Sequence, residues 1–553
     1  MKKLTLTLLL SLFLIPAISQ NDDWIRVFWV YKNVTSHDLL ETYDKGYLIL
    51  ATVRPDPGGG AETWTWLIKT DINGEILWEK KIGDIDVIGG FHDIHQTPDG
   101  GYVLAGATTL LDNTHGDTFF MKLNACGEKE WCRIFHLAGE NTNFDFGLSI
   151  YPSPDDDGYI ALVQQWGNEF VPGVFKGIWL FRLDSMGNSI WIKNVFNEVH
   201  PDAWNEIPEN MFIAEDGTLI ITGTIIYNDF GMPYGWDKPF VFATEPDGTE
   251  KWWAIMGQDE THFGLGNHSI GDIHGNIYTT GWYEDYEDGS SHYFPSLHKT
   301  DKYGNKIFSK YLIDSTPQAN SFCINIMGDT VVDVGGVWYY LDEPVYSYIA
   351  RADTNGNLIS EKQVWETIFG FSNSIKTFDD KELFVGKFKD DDNYYKIHLH
   401  KFNSDLEYDT IYTQPFEYDY MCNDLPIISD TIGIDDCDIW TGLPGEIEYR
   451  LAQYLVVYPN PARDNITVRL PRYTAEEREW GPFTSMHFNA KYFKNSKLLI
   501  YDVFGRQVKQ IPLKNQEGVE LKIDVSSLTS GIYLINLFEN DKKMASGKFV
   551  VKH

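Results

Sequence analysis

Helical periodicity is scarce along this chain, and so are cysteines, positive charge and long apolar runs. Each shortage excludes something. Without apolar residues at 3.6-residue spacing, a helical bundle has no face to pack. Lys and Arg total 45 against 80 Asp and Glu, a net charge of −35. A field of that sign repels phosphate backbones, so nucleic acid is excluded as a partner. Beyond the first twenty residues no apolar run is long enough to cross a bilayer, so no transmembrane segment is expected. The five cysteines at 126, 132, 323, 422 and 437 include no C-x-x-C pair and meet no histidine cluster, so no metal is expected on them. Catalytic signatures are missing too: there is no G-x-S-x-G, no H-E-x-x-H and no phosphate-cradling glycine loop.

What is present points to export. The opening residues, "MKKLTLTLLLSLFLIPAISQ", place Lys2 and Lys3 before an uncharged apolar run that ends in the small residues Ala17 and Ser19. That is the layout of a secretory signal peptide, so residues 1–20 are expected to be removed. In an oxidising compartment four of the five cysteines are expected as disulfides. Cys126 and Cys132 flank the turn of "LNACGEKEWCRIF", and Cys422 and Cys437 flank a short loop. Their spacing suggests two local bridges, with Cys323 left as a buried thiol.

Aromatics make up 15% of the chain, which favours pleated sheets and an all-β fold. A repeat then organises them. "LIKTDINGEILWEKKIG" returns as "FMKLNACGEKEWCRIF", "LFRLDSMGNSIWIKNVF" and "VFATEPDGTEKWWAIMG", and more weakly as "LHKTDKYGNKIFSKYL", "IARADTNGNLISEKQVW" and "LHKFNSDLEYDTIYT". The turn glycines are Gly74, Gly127, Gly187, Gly248, Gly304 and Gly356, with Leu406 in the last place. Four residues after the first five glycines stands an aromatic: Trp78, Trp131, Trp191, Trp252 and Phe308. Each unit also has an earlier half of two strands around a turn, clearest in "FHDIHQTPDGGYVLAGATT". Four antiparallel strands per unit, each unable to bury both faces alone, describe propeller blades stacked around an axis, with the aromatic wedged between neighbours. Seven units run from Ser36 to Thr413, and "DWIRVFWVY" (Asp23–Tyr31) resembles a final blade strand that closes the ring. A seven-bladed β-propeller over residues 21–413 is expected, with eight blades as the alternative.

The D-x-x-G-x-x-x-W run resembles the tryptophan-containing blades of quinoprotein-type (PQQ-like) propellers. The resemblance is one of repeat style and implies the blade architecture. Quinoprotein dehydrogenases carry an adjacent-cysteine disulfide near their cofactor, and no two cysteines are neighbours here, so no cofactor is expected.

After Thr413 the pattern changes. Residues 414–454 read as a polar connector, and short strands follow to the end, at Asn465–Leu470, Lys497–Val503, Leu521–Val525, Gly531–Phe538 and Lys548–Val551. Such a density of strands makes a small β-sandwich over residues 455–553. Its motifs "VVYPNPARDNITV", "LLIYDVFGRQV", "IDVSSLTSGIYLINL" and "GKFVV" resemble, in order, the C-terminal (type A) sorting domain of type IX secretion cargo found in Bacteroidetes. Tyr458, Pro459, Asn460, Pro461 and Ala462, then Asp502, Gly505 and Arg506, then Gly531 and Tyr533 carry the match. The resemblance implies handling by the type IX machinery and delivery to the outer surface of a Gram-negative cell or to the medium. Arg472–Phe493 is a long mixed-charge insertion between the first two motifs.

Function is expected where the innermost strands begin, at the mouth of the channel. His37, Asp38, His92, Asp93, Asp145, Glu206, His268, Asn320 and Asn373 stand there by the repeat. Such residues bind a cation or serve as acid and base on sugars, the carboxylates Asp38, Asp93, Asp145 and Glu206 being the catalytic candidates. The plainer alternative is the polar lining of a wet channel. Asp155-Asp156-Asp157, Asp390-Asp391-Asp392 and "EDYEDG" offer calcium candidates, although none fits the D-x-D-x-D-G loop. Trp166, Tyr234, Trp236, Tyr283 and Tyr286 are candidates for stacking on sugar rings. Two readings result: a non-enzymatic module that binds an extracellular protein or glycan, and a carbohydrate-active hydrolase or lyase.

Overall fold

The computed structural model describes residues 23–54, 63–83, 89–110, 116–135, 144–154, 158–166, 177–195, 203–227, 236–257, 263–287, 290–312, 318–328, 331–339, 346–364, 370–424, 426–440, 453–458, 462–469, 496–503, 505–513, 520–539 and 542–552. The expected signal peptide and the 472–493 insertion lie outside them. Among the described residues the regular structure is all strand, and no helix is long and apolar enough to cross a membrane.

Seven antiparallel sheets follow one another along the chain. The first comprises Val34–Glu41, Tyr47–Val53, Trp64–Thr70 and Ile76–Ile82. The next five repeat that hairpin order, with inner strands Gly89–Gln96, Phe144–Pro152, Ala203–Ile213, Phe263–Gly271 and Gln318–Met327. The seventh takes three strands from Phe371–Lys376 onward and its outermost from Ile25–Phe28, which pairs Ile25 with His400 and Val27 with His398. Each inner strand packs against the inner strands before and after it, and the seventh returns to the first, so the contacts form a closed cycle. Apolar side chains fill the spaces between sheets: Leu50, Leu67 and Trp78 of the first meet Phe91, Tyr102 and Leu104 of the second. Each such fully buried side chain contributes about 1.5–3 kcal/mol.

The repeated aromatic is seated on the turn glycine of the following unit. A Cβ on Gly187 would come within 2.7 Å of the Trp131 ring, and one on Gly304 within 2.5 Å of Trp252. Trp78 lies in the same way against Gly127, Trp191 against Gly248, Phe308 against Gly356, and Trp24 of the closing strand against Gly74. The glycine therefore does two things: it takes a positive φ (77° at Gly187) and leaves room for the ring. The exception supports the rule. The sixth unit has Ser360 in the aromatic position, and the next turn accordingly holds Leu406, a side chain where the others have none.

The third strands of several sheets end in buried cations. Lys69 Nζ lies 2.7 Å from Asp44, Lys122 Nζ 3.0 Å from Asp99 and Lys401 Nζ 2.9 Å from Asp379. Each aspartate comes from the turn between the first two strands of the same sheet, so the pair fixes hairpin against hairpin.

The connector expected at 414–454 folds onto the rim over its first part. Asp430–Ile432 adds a parallel strand to the outer edge of the first sheet, and Asp438–Trp440 does the same for the second. This placement corrects the expected disulfide pairing. The bridges are Cys126–Cys422 and Cys132–Cys437, closing 296 and 305 residues of chain. The local pairing fails because Cys132 stands opposite Met121 in the ladder while Cys126 sits in the turn. Cys323 is a buried thiol.

Residues 453–552 form two further sheets. One has the order Gln453–Tyr454, Lys542–Val551, Gly531–Glu539, Ser496–Asp502, Gln507–Pro512; the other is Val456–Tyr458, Asn465–Arg469, Glu520–Asp524. Ile466, Val468 and Ile523 share one core with Leu498, Ile500, Ile535 and Phe549. Several of the described motif residues make contacts within it. Ala462 is buried, donating its N–H to Val550 O at 2.8 Å and accepting from Lys552 N at 2.8 Å. Asp502 and Arg506 pair at 2.7 Å across the tight turn that holds Gly505 at φ 78°. Tyr533, two residues after Gly531 opens its strand, donates to Thr529 O at 2.8 Å and stacks on Phe549. Tyr458 ends the strand Val456–Tyr458, and Pro459, Asn460 and Pro461 lie outside the described residues.

Candidate functional site

All seven inner strands carry a β-bulge at an equivalent place. The extra residues are His37, His92, Leu148, Glu209, Asn267, Phe322 and Ser372. A bulge leaves one residue out of the ladder and re-aims its side chain. All seven line one axial cavity of about 820 Å³.

The residue after the bulge ties four of the sheets to a neighbour. Asp38 accepts from Leu39 N at 2.7 Å and from Ile94 N of the second sheet at 2.9 Å. Asp93 accepts from Ile150 N of the third sheet at 2.7 Å. Asn210 accepts from Ser269 N of the fifth at 3.4 Å, and Asn373 of the seventh donates through Nδ2 to Asp38. These polar groups join neighbouring sheets from inside.

Burial sets the charge states. Burial, then the neighbouring Asp93 carboxylate, pushes Asp38 up to about 7. Desolvation raises Glu209 to about 7 although its side chain is open to the cavity. Burial lowers His92 and His268 to about 4 and, with His92 alongside, holds His37 well below the usual imidazole range. His95 goes the other way: burial opposes its charge, but Asp93 Oδ2 at 3.4 Å keeps its pKa above the ordinary value. The His95 ring lies over Tyr151, centroids 3.8 Å apart. At neutral pH the cavity thus presents neutral imidazoles at His37, His92 and His268.

Of the residues expected at the channel, His37, Asp38, His92, Asp93, His268 and Asn373 line the cavity. Asp145 and Glu206 stand three residues before their bulges and Asn320 two before, and none of them is among the lining residues described. The four candidate carboxylates are therefore not brought together; Glu209 takes the place expected of Glu206. Glu209, Asn210, His95, Tyr151 and Asn325 are lining residues that the sequence reading missed. A signal for them exists: the bulge lies eight residues before the positive-φ turn residue (37 and 45, 92 and 100, 209 and 217, 267 and 275, 372 and 380). Counting back from the turn finds Glu209.

The aromatic candidates divide. Tyr283 is fully buried beside His298 and Tyr311, a packing residue and not a loop platform. Trp166 ends the strand Tyr159–Trp166 and Trp236 begins Trp236–Thr244, both away from loop tips; Tyr286 falls within Ile277–Glu287, and Tyr234 lies outside the described residues. Of the calcium candidates, Asp390 spends its carboxylate on Asp392 N and Tyr394 N within a hairpin turn, and Asp155–Asp157 lie outside the described residues.

Solved structures with similar outlines include a protein of unknown function from Dyadobacter fermentans DSM 18053 (9% identity, 68% of this chain and 97% of that one, TM-score 0.36). A PL25 ulvan lyase is similar at 8% identity, over 67% of this chain and 95% of its own (TM-score 0.45). Prolyl oligopeptidase B from Galerina marginata is similar at 10%, over 70% of this chain and 50% of its own (TM-score 0.37). At these scores no activity is carried over from them. A search of curated proteins finds no match. Residues 456–552 match the secretion system C-terminal sorting domain, which marks the chain for type IX export to the cell surface or extracellular space.

Proposed function

We propose that the protein is an exported, non-enzymatic glycan-binding module. In this reading the seven sheets are the blades of a seven-bladed propeller, residues 455–553 are a sorting β-sandwich, and the axial cavity receives the end of an extracellular glycan. The observation that carries it is the cavity itself: about 820 Å³, within the roughly 300–1,000 Å³ of small-ligand sites, with polar groups left open inside. Asn325, 96% buried as the complement of its 4% exposure, accepts from Ile326 N through Oδ1, while its Nδ2 has no partner among the described residues. A buried donor without an acceptor is costly, and a ligand hydroxyl would satisfy it. Phe212 and Phe322 supply apolar surface in the same lining. A glycan array probed with the secreted chain tests the reading. Binding is expected, with Asn325→Leu weakening it about tenfold or more; an array blank at millimolar ligand would overturn it.

A second reading, a hydrolase or lyase, rests on Asp38, which burial and the neighbouring Asp93 carboxylate raise to about 7, the range of a general acid. Against it, both carboxylates are already engaged with backbone N–H groups of adjoining strands. Turnover of any glycan that Asp93→Asn abolished would favour this reading over the first.

A further inference from the structure

Of the seven bulge positions, four already have a partner for the side chain and two have nothing to bond. His37 Nε2 lies 2.8 Å from Thr52 Oγ1, and its Nδ1 3.3 Å from His92 Nδ1. Asn267 donates to Ser321 O, and Ser372 Oγ lies 2.7 Å from Ser36 Oγ. Leu148 and Phe322 carry nothing to bond. Glu209 differs from all of these. Its carboxylate lines the cavity with no donor from the protein among the described residues.

Among the described residues none supplies Glu209 with a counter-charge. The Glu209 side chain is open to the cavity, and no cation draws its pKa down. Two lysines line the cavity, and both are engaged elsewhere: Lys376 with Asp380 at 2.9 Å, and Lys302 over the Tyr303 ring. Facing them are six carboxyl groups in the same lining, in a chain of net charge −35. Such a cavity concentrates cations.

We infer that the ligand is an amino sugar, whose free ammonium pairs with Glu209 while its hydroxyls meet Asn325 and the neutral imidazoles. This rests on the glycan reading above and narrows it. A simple alkylamine would pair with Glu209 but would bring no acceptor for Asn325 Nδ2; an N-acetylated sugar would satisfy Asn325 but bring no counter-charge to the carboxylate. An amino sugar meets both demands. A charge-assisted hydrogen bond of this kind is worth about tenfold in affinity or more.

The test is calorimetric titration of the full secreted chain at pH 7 with glucosamine tetrasaccharide and with its N-acetylated counterpart. Wild type is expected to prefer the amine about tenfold, and Glu209→Gln to lose that preference while still binding the N-acetylated form. Equal affinity for the two sugars in wild type, or a preference that survives in Glu209→Gln, would overturn this inference and leave the glycan reading standing. No binding of either sugar, with binding of oligolysine instead, would overturn the inference together with the glycan reading. Undiminished thermal stability in Glu209→Gln is the folding control.

Discussion

The rim of the first two sheets and the rim of the third to sixth are built from one repeat, yet they are buried very differently. The outer strands Ile76–Ile82 and Lys129–Phe135 receive a parallel strand each, and their tryptophans, Trp78 and Trp131, are 1% and 5% exposed. The outer strands Ser189–Asn194, Glu250–Ile255, Lys306–Tyr311 and Leu358–Val364 are largely open, and Trp191, Trp252 and Phe308 are half-buried. The same aromatic is thus a core residue on one arc and a lid over a glycine on the other. Burial of a repeated residue is set by what covers its sheet edge, not by the repeat.

Cutting the cover should have the largest effect. Cys422→Ser with Cys437→Ser frees residues 414–440 from the covered arc, and since the two bridges close almost the same loop their effects should not add. A loss of about 4–5 kcal/mol is expected, with protease cleavage appearing between 414 and 440 before any in the sheets; an uncut connector would mean that the added strands hold it without the bridges. Next, Trp131→Ala on the covered arc should cost about 3–5 kcal/mol, and Trp252→Ala on the open arc less than half as much. Equal losses in urea unfolding would erase the distinction between the arcs.

The open rim was the legible part of this chain. The turn glycine and its aromatic recur in linear sequence, so the four-stranded units could be read without any long-range information, including the closing role of Trp24. The covered rim was not legible, because Cys422 and Cys437 meet partners about three hundred residues away, and local spacing favours local bridges. The cavity was half legible. His37-Asp38 and His92-Asp93 announce themselves as charged pairs, whereas Glu209 was displaced by Glu206, since a bulge has no composition of its own and shows only as a count from the turn. The buried cations Lys69, Lys122 and Lys401 were also hidden: a lysine at the end of a strand reads as a solvated side chain until its aspartate is placed.

A smaller effect isolates the seat of the aromatic. Gly187 and Gly217 both have positive φ, 77° and 83°, but only Gly187 lies under a tryptophan; a Cβ on Gly217 meets nothing nearer than Pro246 at 4.0 Å. Gly217→Ala should cost about 1 kcal/mol for its backbone alone, and Gly187→Ala about 2–4 kcal/mol once the clash with Trp131 is added. If the two costs agree, the glycine is kept for its turn, and the ring above it moves aside freely.

The smallest effect concerns the seventh sheet, whose outermost strand comes from the N-terminal segment and is held without a covalent bond. His400, opposite Ile25 in that pairing, is fully buried, and burial lowers its pKa to about 3. Its native pKa therefore lies below the unfolded value of about 6.5. Between these values the unfolded chain binds a proton that the native chain refuses, so His400 costs nothing above about pH 6.5 and progressively destabilises as pH falls toward 3. At pH 5 the penalty is about 2 kcal/mol. Asp38 and Glu209, raised to about 7, act in the opposite sense, so the diagnostic quantity is the difference between two proteins rather than one curve. His400→Phe keeps the stacking on Phe402 and Tyr408 and removes the proton site. The variant should lose about 2 kcal/mol less than wild type between pH 7.5 and pH 5 in urea unfolding. Parallel losses would place His400 in contact with water and make the noncovalent rim as open as that of the third to sixth sheets.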